Sequence, residues 1–338
     1  MIPRGGPNES RWRRTFAHLG LGLLAGTAFL WFSLRHTDPR AVLAVMLGAN
    51  DAWAAIAVVF YACTLALRLA RWRLLLYQGA ALPVRRVGTA LTVGYGANFL
   101  LPARLGELVR LELIHRLAGV ARVSALASIG VERLLDGIMV VAALILGLWG
   151  ANALNGRGGS LLLVAYSGAA IFGTGIFLWI VLRGKFGVHL LRRWPSVGAK
   201  FDLLRRALQA ISGRRLGAAV LLTLVVYVAE ASAFWTIARA VGPLLRVDEL
   251  LVVMGAAALS TLLPSAPGFV GSFQLAFVVS FALFDRSGTE AVATASLVQL
   301  FFFAPVAAWA IVWFGFQSIG GLRRRAVAAS VESESSSP

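Results

Sequence analysis

Six stretches of this chain are apolar over about the twenty residues that an α-helix needs to cross the hydrocarbon core of a bilayer. These stretches are residues 15–34, 52–72, 124–149, 160–182, 215–240 and 290–316. In lipid the backbone must satisfy its own hydrogen bonds, and a helix does so within one segment. The sequence therefore predicts an all-α polytopic membrane protein with six full crossings. The run at 15–34 has no A-x-A cleavage pattern after it, so we expect an uncleaved first helix rather than a signal sequence.

The basic residues predict how these crossings are oriented. Lys and Arg number 32 against 15 Asp and Glu, for a formal net charge of +17. They concentrate in four segments that six crossings place on one side, which the positive-inside rule assigns to the cytoplasm. These segments are residues 4–14, 68–86, 183–215 and 323–325. We therefore expect a multi-pass protein of the bacterial inner membrane with both termini in the cytoplasm, and nucleic acid is excluded as a partner.

Two further apolar segments share a skeleton and do not fit as simple crossings. They are FLLPARLGELVR at 99–110 and TLLPSAPGFVGS at 261–272. Proline removes a backbone donor and glycine frees φ, so the helices are expected to break at these residues. The predicted tips contain Pro102, Gly106, Pro264, Pro267 and Gly268. Each segment is therefore predicted to be a re-entrant helical hairpin, the first entering from the cytoplasm and the second from outside, with its tip in the protein interior.

The two halves of the chain align with each other. An offset of 162 brings Pro102 onto Pro264, and an offset of 163 brings Trp72 onto Trp235. Each half, at about 52–149 and 215–316, then reads as a crossing, a hairpin and a crossing. Because the predicted topology starts the halves from opposite sides, they form an inverted repeat, which is typical of secondary transporters.

Charged side chains at membrane depth predict a functional interior, because each costs about 2.5–3.5 kcal/mol on insertion scales. The candidates for substrate binding and translocation are Arg104, Glu107, Arg110, Glu132, Arg133, Asp136 and Glu230, together with Gln299 at the repeat position of Arg133. The Pro and Gly residues of the tips are predicted to act as gates.

Each charge also has a structural interpretation. Arg104 and Arg110 suit bidentate binding of phosphate, or they anchor the hairpin at the lipid headgroups. Glu132 and Asp136 share a helix face at a spacing of i,i+4, so they line a cavity, pair with a nearby Arg, or do both. Glu230 faces a cavity or partners an Arg. The residues alone leave these alternatives open.

No catalytic or metal-binding motif accompanies these charges. The sequence contains no G-x-S-x-G, H-E-x-x-H or P-loop pattern. Cys63 is the single cysteine, which excludes a disulfide or a thiol pair within the chain. We therefore expect a protein that is not an enzyme and that uses no metal and no cofactor.

Three blocks of sequence carry a family resemblance. NFLLPARLGELVRLELI, ALASIGVERLLDG and TLLPSAPGFVGSFQ resemble the membrane domain of the lysylphosphatidylglycerol synthase family, also described as flippase-like membrane proteins. In fused members this domain translocates the aminoacylated phospholipid that a following synthase domain makes, and we expect this chain to be a standalone member. The resemblance implies roles for the charged residues of the first two blocks and for the Pro and Gly block of the third, namely Arg104, Glu107, Arg110, Glu132, Arg133, Asp136, Pro264, Pro267 and Gly268. Gln299 departs from the Arg of many relatives, which widens the expected substrate class to amphiphilic lipids.

The sequence thus predicts a single flippase-like membrane domain at 15–320 that moves a lipid with a polar headgroup across the membrane. It is preceded by a short segment at 1–14, interrupted by an amphipathic interfacial connector at 183–214, and followed by a polar tail at 321–338 that is expected to be disordered. The expected partners are membrane lipids and, as an open alternative, a separate lipid synthase or transferase. An intramembrane lipid-modifying enzyme and a noncatalytic partner of a synthase are the alternative functions. The sequence leaves the oligomeric state open.

Overall fold

The computed structural model describes residues 24, 27–35, 37–76, 82–101, 105–155, 158–183, 195–242, 244–263 and 266–317. All regular secondary structure in these ranges is helical. Four helices are long and apolar enough to cross a bilayer, namely Asp51–Leu75, Gly159–Val181, Gly213–Val241 and Gly288–Gln317. The predicted fold class is therefore confirmed. The predictions for Pro102, Arg104, Pro264, the segment 1–14 and the tail 321–338 fall outside the described residues.

Eleven helices are named here in chain order, after a helical stretch at 27–34. They are α1 (Pro39–Leu47), α2 (Asp51–Leu75), α3 (Val84–Leu100), α4 (Gly106–Ala118), α5 (Arg122–Gly150), α6 (Gly159–Arg183), α7 (Pro195–Gln209), α8 (Gly213–Val241), α9 (Val247–Ser260), α10 (Ser272–Ala282) and α11 (Gly288–Val298). Helix α11 continues through a π-helical turn, Gln299–Phe303, and then to residue 317. Side-chain caps fix two of the long helices: the Asn50 side chain accepts from the backbone of Ala52 and Trp53, and the Ser212 hydroxyl accepts from Arg215.

The two predicted hairpins are the pairs α3–α4 and α9–α10. Their arms contain 17, 13, 14 and 11 residues. At 1.5 Å per residue each arm is about 17–26 Å long, which is shorter than the hydrocarbon core of about 30 Å. The arms are thus at or below the lower end of the range of about 17–25 residues for a crossing helix, as the hairpin prediction requires.

The two halves that the sequence predicts to be a repeat are interlocked. Helix α2 packs along α8, its predicted counterpart. Helix α5 of the first half packs on α9 of the second, where a methyl group on Gly255 would lie 2.6 Å from the Cβ of Leu144. Conversely, the end of α11 packs on α3, where Gly96 lies against the backbone of Val306. Each half thus supplies a helix to the hairpin of the other half, as expected for two related units.

The tips differ from the sequence prediction in one respect. Gly106 is not the turn of the first hairpin but the first residue of α4, where it is buried against Gly94 and Asn98 on the opposite arm. Its lack of a side chain is required by this close approach of two helix backbones, not by φ. In the second tip Pro267–Phe269 form a short 3₁₀ turn, and Gly268 does adopt a left-handed φ of 74°.

The connector also packs more closely on the protein than predicted. Leu208 and Ile211, after the middle of the 183–214 segment, are buried in a cluster with Leu75, Ala127 and Ala219. The described end of the connector is therefore held by protein side chains, because its apolar residues find partners on α2, α5 and α8 rather than only lipid.

Candidate functional site

A cluster of charged side chains lies inside the helical bundle. Four helices contribute to it: α2, α4, α5 and α8. The members are Arg68, Arg71, Arg110 and Arg133, with the carboxylates of Glu107, Glu132, Asp136 and Glu230. The four positive and four negative charges cancel. A cluster without net charge is how an apolar interior tolerates so many ionised groups.

Glu132 lies at the centre of this cluster and is fully buried. Its two carboxylate oxygens accept from the Arg110 guanidinium at 3.1 and 2.5 Å, which is a bidentate pair. The same carboxylate lies 3.3 Å from Arg71 and 2.8 Å from Arg133, and it accepts a hydrogen bond of 3.0 Å from the Tyr95 hydroxyl. Glu132 therefore joins α2, α3, α4 and α5.

Among the arginines whose burial the structure describes, Arg71 and Arg110 have no solvent-exposed surface. Arg71 donates to both oxygens of Asp136, at 2.6 and 3.1 Å, and to the Thr223 hydroxyl at 3.0 Å. The Arg110 guanidinium lies 3.6 Å from the centre of the Trp72 ring, a cation–π contact in a desolvated place. Both arginines are held on several sides, so we assign them to the framework of the cluster.

The other members of the cluster, except Glu132, face a cavity of about 410 Å³. Five charged residues form its polar side: Arg68, Glu107, Arg133, Asp136 and Glu230. The remaining wall is apolar and includes Phe172, Met254, Leu262 and Phe273. Because Leu262 is 45% exposed, the cavity reaches the surface beside the second tip. The cavity thus combines a polar end with an apolar path to the outside of the bundle.

The two hairpin tips meet beside this cavity. The Phe99 ring lies edge-on to the Phe269 ring at 5.7 Å and stacks on the Phe303 ring at 4.4 Å. A smaller cavity of about 110 Å³ is lined by Asn98 and Phe99 from one tip, by Thr261 and Phe269 from the other, and also by Arg68 and Glu230. The aromatic contact therefore lies where both tips approach the charged cluster.

The structure separates the predicted site residues into groups. Glu107, Arg133, Asp136 and Glu230 face the cavity. Arg110 and Glu132 lie behind it, paired with each other. The structural interpretation therefore applies to Arg110 and Glu132, and the interpretation as cavity residues applies to Glu107, Arg133, Asp136 and Glu230.

Gln299 lies elsewhere, at the second tip. It begins the π-helical turn, donates to the Gly268 carbonyl at 2.9 Å and accepts from Gln274 at 2.5 Å. Gln274 in turn accepts from the Gly271 backbone at 2.8 Å. Gln299 therefore braces the tip, and it is absent from the described lining of both cavities.

Sequence reasoning missed Arg68 and Arg71, which were counted with the basic residues at 68–86 that orient the membrane crossings. The structure places both within α2: Arg68 lies seven residues and Arg71 four residues before its end at Leu75. Two signals could have identified them: their i,i+3 spacing within a helix that is otherwise apolar, and the offset of 162 that relates Arg68 to Glu230.

Glu112 illustrates a charged group outside the cluster. It accepts from Arg116 at 2.6 Å and from Arg122 at 2.9 Å, and these three side chains are exposed or half-exposed. Hydrogen bonds from Arg122 and Arg116 lower the pKa of Glu112 to about 2. Glu112 offers a matched control for substitutions of the buried carboxylates.

These features define a class of protein: a multi-pass helical membrane protein with two hairpins that meet beside a charge-balanced cavity. The model of the family described as "Lysylphosphatidylglycerol synthase TM region" matches residues 19–310. The chain belongs to this family, as its sequence blocks predicted.

The chain is also similar to a protein named "Glycosyltransferase AglD" from Haloferax volcanii. The two are 26% identical over 300 residues, which cover 77% of this chain and 48% of the relative. The chain therefore spans about half the length of the curated relative that it matches.

Proposed function

We propose that this protein is a lipid translocase that moves a lipid with a polar headgroup across the inner membrane. In this proposal the headgroup occupies the charged side of the cavity, while the acyl chains remain along its apolar side and in the surrounding lipid. The two hairpin tips act as gates. The headgroup is thereby shielded from the hydrocarbon core that makes spontaneous lipid movement unfavourable.

The observation that carries this proposal is the composition of the cavity wall. Arg133 and Glu107 line the cavity, and their side chains are 28% and 20% exposed. They lie 3.6 Å apart with no hydrogen bond between them, so a polar group that enters the cavity can bind to either side chain. An amphiphilic molecule fits such a cavity because the polar groups lie on one side and aromatic and aliphatic groups on the other.

The comparisons support the proposal in a second way. The description of the family names a lysylphosphatidylglycerol synthase, and the relative is named a glycosyltransferase. The two names refer to different transfer reactions. A membrane region common to both is better explained by the handling of a membrane lipid than by either reaction. We therefore propose no catalytic role for the cluster, in which each carboxylate already lies within 4 Å of an Arg.

The proposal is tested by reconstituting the protein in liposomes with lipids that carry a fluorescent label on an acyl chain. Labels on several headgroups are followed with a quencher that reaches only the outer leaflet. We expect transbilayer movement for at least one headgroup. We also expect Arg133→Ala to slow that movement about tenfold or more, since a hydrogen bond to a charged group contributes about 1.5–3 kcal/mol.

The matched control is Glu112→Gln, which alters an exposed ion pair and should leave the rate unchanged. Movement no faster than in empty liposomes, for every headgroup tested, contradicts the proposal. Equal rates for wild type and Arg133→Ala would show that the cavity is not the route.

A further inference from the structure

We infer that Arg68 binds the phosphate of an anionic headgroup and that Glu230 takes up one proton when Arg68 leaves it, so that one proton accompanies each anionic lipid. This inference rests on the proposed function and deepens it by naming the headgroup class and the coupled ion.

The first observation is where the Arg68–Glu230 pair lies in the repeat. The two residues are 162 positions apart, the same offset that relates Pro102 to Pro264. Equivalent residues of two inverted units can touch only near the axis that relates the units. Among ion pairs between described residues, this is the one that joins the two halves. A motion that separates the two halves at this point therefore breaks the pair.

The second observation is that this pair is more easily exchanged than the fully buried pairs of the framework. A single hydrogen bond of 2.7 Å joins Arg68 to Glu230, whereas Glu132 accepts from two arginines and lies within 4 Å of a third. The side chains of Arg68 and Glu230 are 14% and 20% exposed, and those of Arg71 and Glu132 are not exposed. Arg68 and Glu230 also line both cavities. A ligand entering the cavity reaches this pair without disturbing the framework.

The third observation is the charge balance. The cluster holds four positive and four negative groups, so a phosphodiester monoanion would add one uncompensated negative charge to a buried place. In the proposed step the Arg68 guanidinium leaves Glu230 and donates to the phosphate oxygens. One proton from water moves to the freed Glu230 carboxylate. Four positive charges then face three carboxylates and one phosphate, and neutrality is restored.

Other ionisable groups near Glu230 are held differently. The groups that line the cavities with it are Tyr61 and Arg68 of α2, Tyr95 of α3, Glu107 of α4, Arg133 and Asp136 of α5, and Tyr227 of α8. The described lining residues from the second hairpin and from α11 carry no charge. Glu107 lies within 4 Å of both Arg110 and Arg133, and Asp136 is bidentate to Arg71, so each keeps a cation when Arg68 moves. Glu230 alone loses its Arg, which makes it the proton acceptor.

The test measures lipid binding by the full-length protein in detergent between pH 5.5 and 8.5. The probe is phosphatidylglycerol labelled on an acyl chain, and diacylglycerol with the same label is the uncharged comparison. Because binding takes up one proton, we expect the affinity for phosphatidylglycerol to fall by up to about tenfold per pH unit where Glu230 is ionised in the free protein. Diacylglycerol binding should not change with pH.

Three variants make the assignment specific. Glu230→Gln resembles the protonated form and should bind phosphatidylglycerol with little pH dependence. Glu107→Gln should keep the pH dependence. Arg68→Lys, which retains the charge but not the bidentate geometry, should weaken binding at every pH. Each variant is first compared with wild type by size-exclusion chromatography and thermal melting, so that misfolding is not read as loss of binding.

The possible results separate this inference from the proposed function. Wild-type binding of phosphatidylglycerol that is independent of pH overturns the inference even if lipids cross the liposome membrane. So does transport of other headgroups without any binding of phosphatidylglycerol, or a pH dependence that Glu107→Gln removes and Glu230→Gln keeps. Absence of transport for every lipid contradicts the proposed function itself.

Discussion

Glu132 is the residue on which the buried charges converge. It accepts from Arg110, Arg133 and Tyr95 and lies 3.3 Å from Arg71. Removing its charge leaves these arginines with an excess of positive charge where water does not reach. Breaking a buried pair from one side is far more damaging than its net contribution suggests, because the remaining charge is uncompensated.

We therefore predict that Glu132→Gln destabilises the protein by about 3–5 kcal/mol. Thermal denaturation in detergent, followed by tryptophan fluorescence, measures the loss. Glu112→Gln is the control, since an exposed pair contributes about 0–1 kcal/mol and its loss should be small. Equal melting temperatures for the two variants would show that Glu132 does not hold the cluster together.

At this scale the sequence identifies which residue types matter but not which role each takes. The carboxylates of GVERLLDG were predictable because charges are rare in apolar helices. Glu132 belongs to the framework of the cluster, whereas Glu230 faces the cavity. This difference depends on how helices that are distant in sequence pack together. Arg71 was missed because a basic residue near the end of a crossing is usually a loop residue, and here α2 continues to Leu75.

Among the elements, the first hairpin depends on a close contact between its arms. A Cβ on Gly106 would lie 2.5 Å from the backbone nitrogen of Asn98, and one on Gly94 would lie 2.6 Å from the Cβ of Arg110. These glycines bring α4 against α3 and so place Arg110 beneath the cavity. A Cβ on Gly130, in α5, would have no such neighbour within 4 Å.

We predict opposite effects for two alanine substitutions in these helices. Gly106→Ala must displace backbone and should destabilise the protein by about 1–3 kcal/mol, as overpacking does. Gly130→Ala should stabilise by up to about 1 kcal/mol, because alanine favours the helix. Melting temperatures of the two variants check this pair, and a stabilised Gly106→Ala would contradict the described approach of the arms.

The two interruptions of the apolar segments were predictable because proline and glycine mark both of them. The role of Gly106 was not predictable. A sequence does not distinguish a glycine that adopts a positive φ from a glycine that lets two helix backbones pack closely. The π-helical turn at Gln299 was likewise invisible, because it arises from the fit of α11 against the second tip.

For the whole molecule, the reciprocal packing of the two halves matters more than any single contact. Each half carries a helix that packs on the hairpin of the other, and the tips touch through Phe99 and Phe269. We propose that movement of one half changes the access to the cavity, because a translocase with two gates requires such coupling.

The central claim is that the tips must separate for a lipid to pass. It is tested most directly in a Cys63→Ala background that carries Phe99→Cys and Phe269→Cys, joined by a short bis-methanethiosulfonate cross-linker whose disulfides can be reduced. We predict that the cross-linked protein moves labelled lipids no faster than empty liposomes and that reduction restores the rate. Single-cysteine proteins treated in the same way should be unaffected. Undiminished lipid movement by fully cross-linked protein would contradict the account.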